Sequence, residues 1–359
     1  MAAILEYFGT LPEPCPRCVH HVVVAPGTTT YRFKANGLTI WLDTYLDRPS
    51  VLAKYMRPED VEEADYIFIS HAHFDHLPGA DIIAKKTGAI VIANGEAISL
   101  LRSRDVPENQ LIPVAGGERI PLFLKADREK AIMGEIEVAP AMPGAPPRPA
   151  DKFAAMDVHC WPALHCFMPM VDGHPPEYID SLTDYTGQTG PYTCTVDITN
   201  GMKWGIMRLG ELIPPEQQDE SVRSTIEYCN DREKHLYSHF DGGQMAYNFL
   251  IGPGKTMLWS AHMGAYEGVM KRIEPKPDIA VLALAGRANL DGRPFDGSAA
   301  DFQVKQLNWL GEPATVIWCL HDQCSLRPFY IDTKGADERI HKETKSRVQY
   351  LEPTVPFTL

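Results

Sequence analysis

The feature that most constrains this chain is the run Ser70–His76, SHAHFDH, which holds three histidines and one aspartate within seven residues. It directly follows residues 64–69, ADYIFI, an apolar run typical of a buried strand. A strand end can present several side chains to one point, and so dense a ligand cluster is rare by chance. The sequence therefore predicts a metal-binding loop at the edge of a sheet rather than a merely polar loop.

Three further histidines follow predicted strands in the same way. They are His165 after residues 156–164, His262 after residues 256–261 and His321 after residues 315–320. His159 competes with His165 for this role, but the alternation of polar and apolar residues places His159 inside its strand. Imidazole and carboxylate groups are ligands for zinc, iron or manganese, and neutral imidazole is available at pH 7. These residues are therefore candidate metal ligands.

The spacing within the HxHxDH run suits two ions. His71 and His73 lie two residues apart, so an extended segment can aim both at one ion, while Asp75 and His76 on the following turn can face a second. We therefore expect two divalent metal ions as cofactors, with zinc as the first choice and iron or manganese as alternatives.

Strands alternate with short helices along the chain, which is typical of an α/β architecture. Residues 29–43 predict a hairpin around an Asn-Gly turn, because this pair between β-rich runs is a strong hairpin signal. The second half repeats this pattern, with a hairpin over residues 244–260 and an amphipathic helix over residues 299–311. The sequence thus predicts two successive β-rich layers with helices outside.

The middle of the chain is less regular. Residues 139–149 are proline-rich and predict a surface loop. Residues 166–240 form a long insertion, and within it residues 192–210 predict an inserted hairpin around a second Asn-Gly pair. Long insertions in compact domains are usually functional covers or spacers. We expect His235 and His239, near the end of the insertion, to be surface residues.

The composition limits the classes of partner. The chain has 359 residues, a formal net charge of −13 and 44% hydrophobic residues. This acidic balance argues against a protein that grips nucleic acid, because such proteins rely on clustered Lys and Arg. No secretory signal or membrane-spanning run is evident. We expect a cytoplasmic protein with a small-molecule substrate, without nucleic-acid or membrane partners, and compatible with a homo-oligomer.

Eight cysteines are scattered along the chain, which in the absence of a secretory signal predicts reduced thiols rather than a disulfide framework. Cys15 and Cys18 have CxxC spacing. A structural zinc site needs four ligands, usually from two such knuckles, and a second knuckle is not evident. The pair is therefore interpreted as buried thiols in an N-terminal turn.

The HxHxDH run and its preceding strand resemble the signature of the metallo-β-lactamase fold superfamily. The resemblance spans roughly residues 30–325 and continues, in order, with Asp43, His165, the turn SAHMGAY at residues 260–266, and His321. The style of these motifs is most similar to the L-ascorbate-6-phosphate lactonase-like branch. The resemblance implies one domain over residues 1–359, a four-layer αββα sandwich of two mixed β-sheets flanked by helices, with the insertion covering the active site.

The resemblance also implies roles for single residues. His71, His73 and His165 would hold the first metal, and Asp75, His76 and His321 the second. Asp43 would fix the HxHxDH loop through hydrogen bonds.

One position departs from the family pattern. His262 stands where the family usually has an aspartate that bridges both metals, and a neutral imidazole has one free lone pair and cannot bridge. Either His262 binds one ion, or it points away and the metal content differs. The family's usual glycine soon after the third-motif histidine is also absent.

The activity implied is hydrolysis of a small organic ester, lactone or amide by a metal-activated hydroxide. Asp75 could orient the water or carry the proton, and Tyr266, Arg287 and Asn289 could donate hydrogen bonds to the substrate. A phosphodiesterase of the same fold, a di-iron redox enzyme and a non-catalytic scaffold are the alternatives.

Overall fold

The computed structural model describes residues 2–9, 28–167, 176–187 and 195–359. Cys15 and Cys18 lie outside these ranges, so the interpretation of this pair stays a prediction. The cysteines within the described ranges are free thiols, in agreement with the predicted reduced state, and they are Cys160, Cys166, Cys229, Cys319 and Cys324.

Two seven-stranded sheets form the centre of the described structure. The first runs in the order β19-β1-β2-β3-β4-β5-β6 and the second in the order β18-β16-β13-β11-β10-β8-β7. The strands of the first sheet are β1 Ile4–Tyr7, β2 Tyr31–Ala35, β3 Leu38–Leu42, β4 Tyr66–Phe68, β5 Ile90–Ala93, β6 Leu111–Pro113 and β19 Phe357–Thr358. Those of the second are β7 Arg119–Leu122, β8 Met156–Pro162, β10 Met245–Gly252, β11 Lys255–Ser260, β13 Ile279–Ala283, β16 Thr315–Cys319 and β18 Arg347–Val348.

Short strands and helices complete the described fold. The short strands are β9 Tyr178–Asp180, β12 Gly264–Ala265, β14 Asn289–Leu290, β15 Arg293–Pro294 and β17 Tyr330–Asp332. The helices are α1 Ala80–Thr87, α2 Gly95–Ser103, α3 Lys125–Met133, α4 Thr195–Asn200, α5 Leu209–Leu212, α6 Glu220–Asn230, α7 Glu267–Arg272, α8 Ala299–Trp309 and α9 Lys334–Glu343.

The two sheets pack face to face through a shared apolar core. At its centre the Phe68 ring of the first sheet lies 5.0 Å from Tyr247 and 4.9 Å from Phe249 of the second. Helices α1 and α2 cover the outer face of the first sheet, and α8 and α9 cover that of the second. The predicted four-layer αββα sandwich is therefore confirmed.

Local sequence signals explain several of these elements. Asn36 and Gly37 both adopt positive φ, 51° and 84°, which is the conformation that a tight hairpin turn requires. β3 is buried along its whole length, as expected for a strand covered on both faces. Helix α8 begins with a capping box between Ser298 and Asp301. Both predicted hairpins and the predicted amphipathic helix are present.

Strand direction brings the candidate ligands to one edge of each sheet. In the first sheet β3 and β4 are parallel, so Asp43 and His71 both follow carboxyl ends at the same edge. In the second sheet β11, β13 and β16 are parallel. β8 is antiparallel to β10, which is antiparallel to β11, so β8 runs in the direction of β11. His165, His262 and His321 therefore follow strands that end on the same side.

The predicted hairpin over residues 192–210 is wrong. Helix α4 ends at Asn200, which has helical dihedral angles of −66° and −43°, and a π-helical turn, Gly201–Gly205, continues from it. An Asn-Gly pair gives a hairpin only when its residues take left-handed conformations, and here Asn200 stays right-handed.

Helix α6 packs the insertion against the first sheet. Its N-cap is Asp219, whose side chain accepts from the backbone N–H of Val222. Tyr228 on this helix contacts Tyr45 edge to face at 5.8 Å and donates its hydroxyl to the carbonyl of Phe74 at 3.0 Å. The insertion therefore lies beside the HxHxDH loop.

Within the described ranges, no helix combines the length and the apolar character required to cross a bilayer.

Candidate metal centre

Five buried histidines converge where the two sheets meet. His71 lies at their middle, with ring centroids 4.5 Å from His73, 4.0 Å from His76, 5.1 Å from His165 and 4.8 Å from His262. We call these five residues the His71 cluster. Its members come from both sheets and from positions almost 200 residues apart in the chain, so only the folded chain assembles it.

The His71 cluster contains two overlapping groups with ligand spacing. One is His71, His73 and His165, and the other is His71, His76 and His262; within each, the ligand atoms lie within 4.8 Å of one another. The first group is the set that the sequence assigned to the first metal. His71 is shared by the two groups.

Asp43 anchors the HxHxDH loop from a fully buried position. Its carboxylate accepts from the Ser70 backbone N–H at 2.8 Å and from the Ser70 hydroxyl at 2.9 Å. It also lies 2.7 Å from Nδ1 of His76, and Thr29 donates its hydroxyl to the same carboxylate. These contacts connect Asp43 to both ends of the HxHxDH loop, at Ser70 and at His76.

A close approach of two loops positions His165 and His262. A Cβ added to Gly264 would lie 2.2 Å from the carbonyl oxygen of Leu164, so only glycine lets the two segments come this near. The two imidazole rings stack with centroids 3.7 Å apart. Asn289 donates its side-chain amide to the carbonyl of His165 at 2.9 Å, which fixes the backbone there.

Several ring nitrogens in the cluster are available for a cation. Nδ1 of His165 lies 2.7 Å from the carbonyl of Cys166, which can only accept, so this nitrogen carries the proton and Nε2 is free. Among the described residues, Nε2 of His73, His76 and His262 has no hydrogen-bond partner although it is buried. Buried polar atoms without partners are uncommon in folded proteins. The donor set therefore fits a divalent transition-metal ion.

Burial keeps most of the cluster neutral. Burial and the neighbouring histidines lower the pKa of His71, His73 and His262 well below 6.5, and burial lowers the pKa of His165. A neutral imidazole has a lone pair for a metal, so the four rings are in the ligating form at neutral pH.

His76 and Asp75 behave differently because they face each other. Burial alone would lower the pKa of His76, but the carboxylates of Asp75 and Asp43 outweigh it and raise this pKa. Burial alone would raise the pKa of Asp75, but His76 and the other histidines outweigh it and lower this pKa. Asp75 is therefore a carboxylate at neutral pH, with one oxygen 3.5 Å from Nε2 of His76.

His321 is placed apart from these groups. Neither Asp75 nor His321 belongs to a three-residue group within the 4.8 Å spacing among the described residues. His321 is nonetheless buried, its Nδ1 has no hydrogen-bond partner in the described part of the chain, and burial lowers its pKa to about 3.

The residues expected to contact the substrate occupy three different environments. Tyr266 is partly exposed after β12. Arg287 is nearly buried, and its guanidinium donates to the carbonyls of Phe295 and Gly187 and pairs with Asp296 at 2.8 Å. The structure thus uses Arg287 to hold two loops together, whereas Asn289 supports His165 as described above.

Two outcomes were not foreseen from the sequence. Cys166 places its Sγ 3.3 Å from Nδ1 of His262 and forms a third ligand-like group with His165 and His262. The only sequence signal was a thiol directly after a predicted ligand.

His235, expected at the surface, is buried with Nε2 3.0 Å from Asp47, because α6 and the following turn fold it inward. His159 lies inside β8, as predicted.

Residues 39–158 match a domain family described as Beta-lactamase superfamily domain. This segment contains Asp43 and the whole HxHxDH run. A UPF0173 metal-dependent hydrolase of Rubrobacter xylanophilus is 31% identical over 99 residues, which cover 26% of this chain and 38% of that protein. A UPF0173 metal-dependent hydrolase of Aeropyrum pernix is 40% identical over 75 residues, which cover 21% of this chain and 30% of that protein. The chain thus spans well under half the length of these relatives.

Among solved structures, Igni18, a metallo hydrolase from the hyperthermophilic archaeon Ignicoccus hospitalis, aligns over 99% of both chains with a TM-score of 0.52 and 14% identity. This likeness concerns the fold. Taken with the matching domain family and the HxHxDH run, it confirms the predicted resemblance to the metallo-β-lactamase superfamily.

Proposed function

We propose that this protein is a metal-dependent hydrolase that acts on a small organic ester, lactone or amide. The observation that carries the proposal is the His71 cluster, in which buried ring nitrogens without hydrogen-bond partners face one another at ligand spacing. The names of the relatives from Rubrobacter xylanophilus and Aeropyrum pernix support the same reaction type.

The proposed centre holds two divalent ions, zinc in the first place. His71, His73 and His165 would hold one ion, and His76 and His262 with Asp75 the other. His321 stays a proposed ligand of the second ion, since its buried Nδ1 has no partner among the described residues. When bound, such ions supply acidification of water and polarisation of a carbonyl oxygen.

Asp75 is the proposed catalytic residue. Its side chain is 25% exposed, so solvent reaches it, while the imidazoles beside it are buried. Asp75 is ionised at neutral pH, so its carboxylate has oxygens to accept a proton from an attacking water and deliver it to the leaving group. Asp43 holds His76 from the opposite side and keeps the loop that carries Asp75 in place.

The surroundings favour an uncharged substrate. The guanidinium of Arg287 is already engaged by Asp296 and two carbonyls, so it is not free to bind a phosphate. The formal net charge of −13 also disfavours polyanions. Tyr266, partly exposed, is a proposed hydrogen-bond donor to the substrate carbonyl.

The insertion is proposed to cover the site. The backbone N–H of Ser238 donates to the carbonyl of Ala72 at 2.8 Å, and the N–H of Ala72 donates to the carbonyl of Asp241 at 3.1 Å. These contacts run along the HxHxDH loop itself. A cover here would shield a small molecule from solvent during the reaction.

The proposal is tested with chelated protein, zinc and a panel of esters, lactones, amides and phosphodiesters. We expect turnover of a member of the first three classes that is lost on chelation and restored by zinc, in a colourless, redox-inert protein. Turnover that survives complete metal removal would refute the proposal. Activity confined to phosphodiesters would identify a phosphodiesterase, and iron absorption that changes under reductant would identify a redox enzyme.

A further inference from the structure

Cys166 lies at the His71 cluster. Its side chain is buried, and Sγ is 3.3 Å from Nδ1 of His262. The ligand atoms of His165, Cys166 and His262 all lie within 4.8 Å of one another. His262 is itself buried, and its Nε2 has no hydrogen-bond partner in the described part of the chain. The thiol therefore belongs to a group with the spacing of a metal site.

The loop that follows β13 leaves room for this thiol. Gly286 has a φ of 83°, and a Cβ at this position would lie 2.7 Å from Sγ of Cys166. The absence of a side chain at Gly286 thus allows Sγ to sit between this loop and His262. Any larger residue there would push the thiol away from the ring.

The charge of the cluster needs another anion. The imidazole ligands are neutral, and two divalent ions in a buried site require anionic partners. The Asp43 carboxylate already accepts from Ser70 and faces His76. Asp75 supplies one negative charge beside the second group. The thiol of Cys166 is a further potential ligand in contact with the cluster.

We propose that Cys166 adds a thiolate ligand to the proposed metal centre, beside His165 and His262, so that one of its ions has a mixed sulfur and nitrogen site. The inference rests on the proposed metal centre. On binding, the S–H bond breaks, a sulfur–metal bond forms and the proton passes to solvent, with no change of oxidation state. A thiolate favours zinc, iron or cobalt over magnesium or manganese.

A hydrogen bond from Cys166 to His262 is the competing explanation of the same contact. In that case the thiol would only orient the ring, as partners of metal-ligating histidines commonly do. Serine separates the two roles, because its hydroxyl can keep a hydrogen bond to Nδ1 but cannot replace a thiolate ligand.

The test uses cobalt(II) added to the full-length chain after chelation. We expect the wild type to show a thiolate-to-cobalt charge-transfer band in the near ultraviolet. C166S and C166A should both lose this band and bind the affected ion at least about tenfold more weakly. C160A is the matched control, since Cys160 is equally buried but points into the core between the sheets, and it should keep the band.

The outcomes separate this inference from the metal centre itself. Cobalt bound without the band in the wild type, the band retained in C166A, or near-normal affinity in C166S would each overturn the thiolate ligand and leave the histidine site intact. No cobalt uptake by the wild type would overturn the metal centre and this inference together. If the Cys166 variants do not fold, zinc-edge X-ray absorption of the wild type decides: a sulfur neighbour at about 2.3 Å supports the ligand, and only nitrogen and oxygen neighbours refute it.

Discussion

The His71 cluster and a second group of titratable side chains at the end of the insertion differ in how their polar atoms are satisfied. The second group, which we call the Asp47 cluster, consists of Asp47, Lys54, Lys234 and His235. The Asp47 carboxylate pairs with Lys54 at 2.7 Å and also with Lys234. Both nitrogens of His235 have partners, the carbonyl of Tyr228 at 2.8 Å and Asp47 at 3.0 Å.

The His71 cluster also contains histidine, but several of its ring nitrogens have no hydrogen-bond partner among the described residues. Nε2 of His73 and His262 has no hydrogen-bond partner in the described structure, and Nε2 of His76 lies 3.5 Å from a carboxylate oxygen of Asp75, beyond hydrogen-bond geometry. The polar atoms of Asp47 and His235 thus have partners within the chain, and the Asp47 cluster is a structural clasp that connects the loop after β3 to the end of the insertion. The His71 cluster is explained only if a ligand from outside the chain completes it. Unsatisfied nitrogens, rather than the presence of histidine, distinguish the proposed metal site from the Asp47 cluster.

The largest effect is expected from removing the histidine that both ligand groups share. H71A should lower kcat/KM by more than the roughly 10- to 100-fold that loss of an outer hydrogen-bond partner costs, because the first ion loses one of its three imidazole ligands. H159A is the control, since His159 lies partly exposed in β8, outside the cluster, and should keep wild-type activity. Equal activity of H71A and wild type would remove the basis for calling the His71 cluster a site.

A smaller effect is expected from the carboxylate that orients the HxHxDH loop. D43N should weaken metal affinity by about 10- to 100-fold, because His76 and Ser70 lose their charged acceptor. D278N is a matched control: Asp278 accepts from Thr256 at the opposite end of the second sheet, far from the ligand-bearing strand ends. Metal titrations of both variants check this, and identical affinities would show that Asp43 has no part in the site.

The Asp47 cluster should respond in stability rather than in metal content. D47N should lower the free energy of unfolding by about 1–3 kcal/mol, because the partners of a buried carboxylate lose their charge-assisted bonds. Denaturant unfolding measures this loss, and elemental analysis should find the metal content of the folded variant unchanged. A variant that is fully stable but depleted of metal would reverse the roles assigned to the two clusters.

The difference in the free energy of unfolding between D47N and wild type should be smallest in acid. Burial alone would raise the pKa of Asp47, but the bonds from His235, Lys234 and Lys54 outweigh it and lower this pKa below its ordinary value of 3.8. A lowered pKa in the folded state contributes stability that is complete above the unfolded value and is lost as the pH falls toward the folded value. Unfolding curves of D47N and wild type should therefore differ most at neutral pH and converge below about pH 4. A difference in unfolding free energy that stays constant down to strongly acidic pH would argue against an ionised Asp47 in the clasp.

Much of the fold was accessible from the sequence because local and global signals agree there. The Asn36-Gly37 turn joins two β-rich runs, and the structure has a hairpin with both residues at positive φ. Residues 66–69 before the HxHxDH run are apolar, and Tyr66–Phe68 forms a buried parallel strand. Where strand length, turn chemistry and burial all favour one arrangement, the sequence pattern is sufficient to predict the secondary structure.

The sequence was less informative where tertiary contacts decide. Asn200 carries the same turn signal as Asn36 but lies in a helical conformation. His235 looks like a surface residue until α6 turns it toward Asp47. The contact of Cys166 with His262 depends on Gly286, 120 residues away, which leaves space for the thiol. The spacing of residues along the chain does not predict such a contact between distant segments.

The most direct test of the account is anomalous diffraction at the zinc edge from crystals of the wild-type protein grown with zinc. We expect two anomalous peaks inside the His71 cluster, one bounded by His71, His73 and His165 and one beside His76 and His262. Zinc-saturated crystals with no anomalous density among these five rings would contradict the central claim that the cluster is a metal centre.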